Sequence, residues 1–146
     1  MNSDLTKAAA LLNSGAYTCV LCRGDAVFTG TERGVRPLLG WLDGGVDLNG
    51  FSAADRVIGK AAAFQYVLLG TAEVYAPVMS EAAVSVLTTN GIQAHCGQAV
   101  KQIVNRAGTG ICPMEEAVAD AAKPTEAPDR IRARLIAMQT AGKSAR

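Results

Sequence analysis

Glu73-Val-Tyr-Ala-Pro-Val-Met-Ser-Glu-Ala-Ala-Val-Ser-Val-Leu-Thr-Thr-Asn-Gly-Ile-Gln-Ala-His-Cys96 is the stretch that decides the fold. Glu73–Val78 reads as a strand. Ser80 can cap a helix running to Thr89, Asn90-Gly91 stops that helix, and Ile92–Cys96 reads as a second strand. A strand, a helix and a strand in succession imply a crossover that lays the helix on one face of a sheet.

The pattern extends in both directions from this unit. Upstream, Ser52 can cap a helix from Ala53 to about Leu69. Val57, Ala61, Phe64, Val67 and Leu68 fall at helical spacing along it, and Gly70 ends it. Earlier still, Ser3–Leu12 suits a helix capped by Ser3. Tyr17–Cys22 and Ala26–Thr29 suit two strands joined by a turn at Arg23-Gly-Asp25. Gly34–Leu42 is a short helix with Pro37 in its first turn, and the Gly- and Asp-rich Asp43–Asn49 is a loop. Downstream, Val100–Val104 fits a strand or a helical turn equally. Pro113 opens another helix, and Pro124 and Pro128 precede a last basic helix over about Asp129–Thr140. A hairpin followed by strand–helix–strand alternation predicts a three-layer α/β/α sandwich on a mixed sheet. Residues 1–122 form this domain and residues 123–146 a basic helical tail.

Composition narrows the function. The chain has 146 residues, enough for one domain with a sizeable core, and its 49% apolar and 18% charged residues are ordinary for a globular protein. Its longest apolar stretches are too short to span a bilayer, and the first residues lack a secretory pattern, so a cytoplasmic protein with no membrane contact is expected. Net charge is +1, with +4 carried from Lys123 onward and −3 before it. Aromatics make up only 5% and do not alternate with the basic residues, so nucleic-acid binding is not expected. Cys19 and Cys22 have a zinc-knuckle spacing but sit within a strand. Positions i and i+3 of a strand face opposite ways, so both read as core.

Arg106-Ala-Gly-Thr-Gly-Ile-Cys-Pro-Met-Glu115 is the strongest candidate for chemistry. Gly108, Thr109 and Gly110 can form a tight loop presenting backbone N–H groups, and the loop feeds a helix start that attracts anions. Cys112 stands at that start, where a thiolate is stabilised, and Glu115 can serve as a first-turn acid. Lys60 is an unusual cation in an apolar run on the expected central helix, five residues after Asp55. Arg33 and Arg36 could clamp an anion at the mouth of the short helix. His95, the single histidine, adjoins Cys96 on a strand, so the two side chains diverge.

With Glu32-Arg-Gly-Val-Arg-Pro-Leu-Leu39, Ala54-Asp-Arg-Val-Ile-Gly-Lys-Ala-Ala-Ala63 and Gly108-Thr-Gly-Ile-Cys-Pro-Met-Glu115 in this order, the chain resembles the domain-of-unknown-function family 1893 over about residues 5–122. That family looks like an offshoot of the cytidine-deaminase-like superfamily. The resemblance implies a helix–hairpin–helix–strand–helix–strand core. Zinc deaminases carry His/Cys-x-Glu at one helix start and Pro-Cys-x-x-Cys at the next strand end. Here Ala53-Ala-Asp55 and Pro77-Val-Met-Ser-Glu81 stand at those places, so the metal ligands are missing and hydrolytic deamination is not expected. Asp55 could echo the general acid/base carboxylate.

The expectation is a metal-free, cofactor-free domain binding a small anionic ligand, a nucleotide or nucleoside. Asp55, Lys60 and the 108–115 loop would form the pocket, with Arg33 or Arg36 at its rim. Two alternatives stand beside it: an enzyme using Cys112 as nucleophile or sulfur-handling thiol, and a non-catalytic scaffold, including a homo-oligomer, pairing through a sheet edge or the basic tail.

Overall fold

The strand–helix–strand unit is present, and longer than its sequence signal. In the computed structural model, which describes residues 1–105 and 107–144, Glu73–Ser80 (β5), Glu81–Thr89 (α4) and Gln93–Val100 (β6) form a parallel crossover with one constant register offset. The Ser80 hydroxyl accepts from the Ala83 N–H at 3.0 Å, capping α4 as expected.

Ahead of it come Ser3–Ser14 (α1), the hairpin Cys19–Arg23 (β1) and Ala26–Gly30 (β2), and Arg36–Asp43 (α2) with Pro37 in its first turn. Gly24, at φ +58°, starts the two-residue hairpin turn, where a primed turn needs a positive φ. Asn2, not Ser3, caps α1: its side chain accepts from the Leu5 N–H at 2.7 Å.

The main correction concerns the helix expected from Ala53. Ser52–Asp55 (β3) and Val57–Ile58 (β4) are strand, pairing in parallel with β5, and the helix Lys60–Leu69 (α3) starts seven residues later than expected. Ala53 and Ala54 are good helix formers, but every residue of β3 is buried, and a strand buried on both faces shows no alternation to reveal it. Ser52 does not cap a helix; its hydroxyl donates to Asn2 Oδ1 at 3.1 Å. Asp55 and Lys60 therefore lie on different elements. Val78 pairs with both Val57 and Gln98, and Glu73 with both Ser52 and Gln93. So β3 and β4 share one edge of β5 as two pieces of a kinked strand.

The result is a six-stranded mixed sheet in the order β2-β1-β3-β5, with β4 and β6 also on β5, and β1 antiparallel to both its neighbours. Alternate residues of β1 face two cores. Cys19 and Leu21 join the main core with α2, α3 and α4, while Val20 and Cys22 join a smaller one under Leu5, Ala8 and Leu12 of α1. That places Cys19 and Cys22 on opposite faces, as their spacing predicts. At the kink Arg56 leaves the sheet and donates to the carbonyls of Leu12, Gly15 and Tyr17, holding the end of α1.

After β6, residues 101–105 and 107–112 are irregular apart from one bridge between Val104 and Ile111, so of the expected strand or turn at Val100–Val104 only Val100, as the end of β6, and the Val104 bridge are strand-like. A short helix Pro113–Ala117 (α5), a 3₁₀ turn Pro124–Glu126 and the helix Ala127–Ser144 (α6) follow. The start of α6 belongs to the main core, since Ala127 and Ile131 are fully buried, whereas Ile136 and Met138 are exposed. Among the described residues no helix is long and apolar enough to cross a membrane.

Replacing Ser80 by Ala should remove the α4 cap and lower unfolding free energy by about 1 kcal/mol, read as a reduced denaturation midpoint at unchanged m-value.

Candidate functional site

The Gly108–Glu115 motif is built around hydrogen bonds made within the chain. Asn105 organises the loop: its side-chain oxygen accepts from the Thr109 N–H at 3.0 Å, its carbonyl from the Gly108 N–H at 3.1 Å, and its own N–H donates to the Gly110 carbonyl at 2.8 Å. The Cys112 N–H donates to the Ile103 carbonyl at 2.9 Å. The N–H groups of Gly108, Thr109 and Cys112 are thus already engaged, and the loop delivers Cys112 and Glu115 to α5. Arg106 lies outside the described residues.

Glu115 then reaches across to another helix. Its buried carboxylate accepts from the Lys60 N–H at 2.6 Å and the Ala61 N–H at 2.8 Å, closing the N-terminus of α3 from 55 positions away. The residue before α3, Gly59, has no side chain to cap with, and any Cβ there would collide with the Glu115 carboxylate. Negative charge at a helix N-terminus meets the positive end of the dipole and satisfies donors that have no partner within the helix. The Lys60 ammonium points elsewhere. It donates to the Ala119 carbonyl at 3.0 Å and lies 5.4 Å from the centre of the Phe64 ring. Lys60 and Glu115 do meet, through a backbone N–H. Cys112 directly precedes the five-residue α5, half-buried against the main core.

Asp55 belongs to a different cluster. Its Oδ2 accepts from the Tyr66 hydroxyl at 2.6 Å and its Oδ1 from the Arg56 N–H at 2.7 Å, while Cys19 stands opposite it in the β1–β3 register. Burial pushes the Asp55 carboxyl up to about 6 against the lowering effect of these hydrogen bonds. Burial, then the Asp55 charge, pushes the Cys19 thiol up to about 12 and the Tyr66 phenol well above its ordinary value. The link of Cys19 and Tyr66 to Asp55 has no sequence signal, because it depends on β3 pairing with β1 and on Tyr66 of α3 reaching back to Asp55.

His95 was also read without its partner. Its Nε2 lies 2.6 Å from Glu73 Oε1, and Glu73, itself buried, accepts from the Asn2 N–H at 3.2 Å. The single histidine therefore serves the end of the sheet where α1 begins.

Two shallow clefts remain. One, of about 240 Å³, lies between the end of β2 and α2 and is lined by Thr29, Thr31, Glu32, Arg36 and Trp41 over a floor at Gly30. Behind that floor, a Cβ on Gly30 would lie 2.8 Å from Cys19 Sγ and from the Pro37 ring. The other, of about 260 Å³, is lined by Lys60, Phe64, Ser85, Thr89, Asn90 and Pro124. Arg36 and Lys60 thus occupy different clefts, and Asp55, Cys112, Arg33 and Gly108–Gly110 line neither.

This mixed α/β architecture has known relatives. The model of the TM1506 family, the domain of unknown function DUF1893, matches residues 7–135, and the chain belongs to that family. It is similar to a crystal structure of a DUF1893 family protein, TM1506, from Thermotoga maritima. The two share 22% identity with a TM-score of 0.78, covering 92% of this chain and 90% of that one. No curated protein matches the chain.

Glu115→Gln and Gly59→Ala should each lower stability by about 2 kcal/mol, one by removing the charged acceptor and the other by displacing it. Because both act on one contact, the double variant should cost clearly less than the sum; additive losses in denaturant titrations would show that the contact does not carry the effect.

Asp55 sets a pH dependence. Its folded-state value near 6, against an ordinary 3.8, means the native state holds this proton more tightly than the unfolded chain. Its contribution is full below pH 3.8 and is lost as pH rises through 6, a fall of about 3 kcal/mol. Asp55→Asn should flatten unfolding free energy across that window, and an unchanged slope would assign it to other groups.

Proposed function

We propose that this chain is a metal-free, cytidine-deaminase-like domain that binds a small anionic ligand, a nucleotide or nucleoside, in the cleft between β2 and α2. The observation that carries the reading is the lining of that cleft, which sets the Arg36 guanidinium and the Trp41 indole beside two threonines, with Glu32 also in its wall. A guanidinium suits bidentate binding of phosphate or carboxylate, and an indole offers an aromatic surface to a base. Beside it α2 begins at Val35, which supplies no side-chain acceptor to the first turn. Trp41 is held edge-on by Phe28, 6.0 Å between centroids, and Phe28 in turn by Phe51, so the indole is braced from the core side.

The deaminase-like part rests on the element order, a helix, a hairpin, a helix and then alternating strands and helices, which agrees with what the family resemblance implies. Its metal-free part rests on residue chemistry. The helices following β2 and β4 begin Arg36-Pro-Leu-Leu and Lys60-Ala-Ala-Ala, with no thiol, imidazole or carboxylate, and the second start is closed by Glu115. Four free cysteines fit a reducing, cytoplasmic setting.

Trp41 is the single tryptophan, so ligand entry should register directly in its emission. Titration with nucleosides and nucleoside monophosphates should give a saturable change, and Arg36→Glu should weaken the responding ligand at least tenfold, the effect of one charge-assisted contact. Unaltered emission and melting temperature across the panel would remove this ligand class, and a response indifferent to Arg36→Glu would remove this cleft.

A further inference from the structure

β6 has one edge on β5 and, among the described residues, nothing on the other. The Gln93 N–H donates to the Ala72 carbonyl, which turns the odd-numbered residues of the strand toward β5. Ala94, Cys96, Gln98 and Val100 therefore present four N–H and four C=O groups outward, and among the described residues no backbone or side-chain group meets them.

Sheet edges are ordinarily protected by lysines, prolines, bulges, shortness or a covering segment. β6 has eight residues without a Lys, Arg, Asp, Glu or Pro, and its pairing with β5 keeps one offset on both sides of Gly97, where the pair with Pro77 is missing. Gln93 and the run Cys96–Ala99 are exposed. The opposite edge strand, β2, has only five residues.

We propose that this edge pairs antiparallel with β6 of a second copy of the chain, joining the two sheets across a two-fold axis at Gly97. The strand is complementary to itself in that register. Cys96 faces the second copy's Gln98 and Ala94 faces its Val100 as hydrogen-bonded pairs, so all eight outward groups on each copy are satisfied. At the axis Gly97 meets Gly97 in a non-hydrogen-bonded pair, where backbones come within about 4.5 Å and side chains are most crowded; glycine brings none. Charge agrees as well, since His95 faces Ala99 and Lys101 faces Gln93, with no like charges opposed. The contact is isologous and closes at two copies.

Sedimentation of the full chain should show a concentration-dependent species of twice 15.1 kDa. In it the Ala94, Cys96, Gln98 and Val100 amides should exchange hydrogen at least tenfold more slowly than on dilution to monomer. Cys96→Lys/Gln98→Lys opposes like charges twice across the axis, and Gln98→Pro deletes an outward donor while leaving the β5 ladder intact. Both should sediment as monomers, with Trp41 emission reporting an intact fold. A wild-type monomer at all concentrations overturns the proposal. So does a dimer that survives both variants, or one whose four amides stay unprotected, because its interface then lies elsewhere.

Discussion

The carboxylate of Glu115 on the first N–H groups of α3 is the contact around which the helical side of the molecule is arranged. α3 packs against α2, α4, α5 and α6, so an unsatisfied end on this helix would sit where helices from both halves of the chain converge. A local cap would need a side chain at Gly59, in the space that the carboxylate occupies. The cap is supplied instead from α5, and Lys60 returns the contact by binding the Ala119 carbonyl beyond it. Arg134 extends the chain of links, bridging from α6 to the Pro113 carbonyl and the Glu116 carboxylate. Three helices are thus coupled through charge-assisted hydrogen bonds.

On the far side of α3 the polar groups have the opposite character. Asp55, Tyr66 and Cys19 are buried together, and each is pushed toward its protonated form. Glu115 accepts from the open end of a helix, whereas Asp55 is buried with a phenol and a thiol, and burial outweighs the lowering effect of its hydrogen bonds and of Arg56. The cluster adjoins the β2–α2 cleft through Cys19 and Gly30, so the wall of that cleft is backed by a buried, hydrogen-bonded cluster.

The hairpin, α2, β5 and α4 were legible in the sequence because their signals are local: turn residues, a first-turn proline, a serine cap and a glycine stop. β3 was not, because Ala53 and Ala54 have helical propensity and only their pairing with β1 and β5 makes them strand. The same misreading put Asp55 and Lys60 on one helix. Lys60 and Glu115 stand out in the sequence as an unusual cation and a first-turn acid, but the contact between them spans the fold and no spacing encodes it. Thr31, Glu32 and Trp41, which flank Arg36 in the cleft, lie in an ordinary turn-and-helix sequence. Their meaning appears only once the end of β2 is set beside α2.

The anchoring of α1 bears on the order in which the chain is made. α1 leaves the ribosome ahead of the groups that hold it: its capping residue Asn2 is held by Glu73, 71 positions later, and its far end by Arg56. The partners of its apolar face include Ala54 and Tyr75. A nascent chain must therefore keep Leu5, Ala8 and Leu12 without their final surroundings until β5 has been synthesised. The helix is made well before the sheet face that receives it is complete.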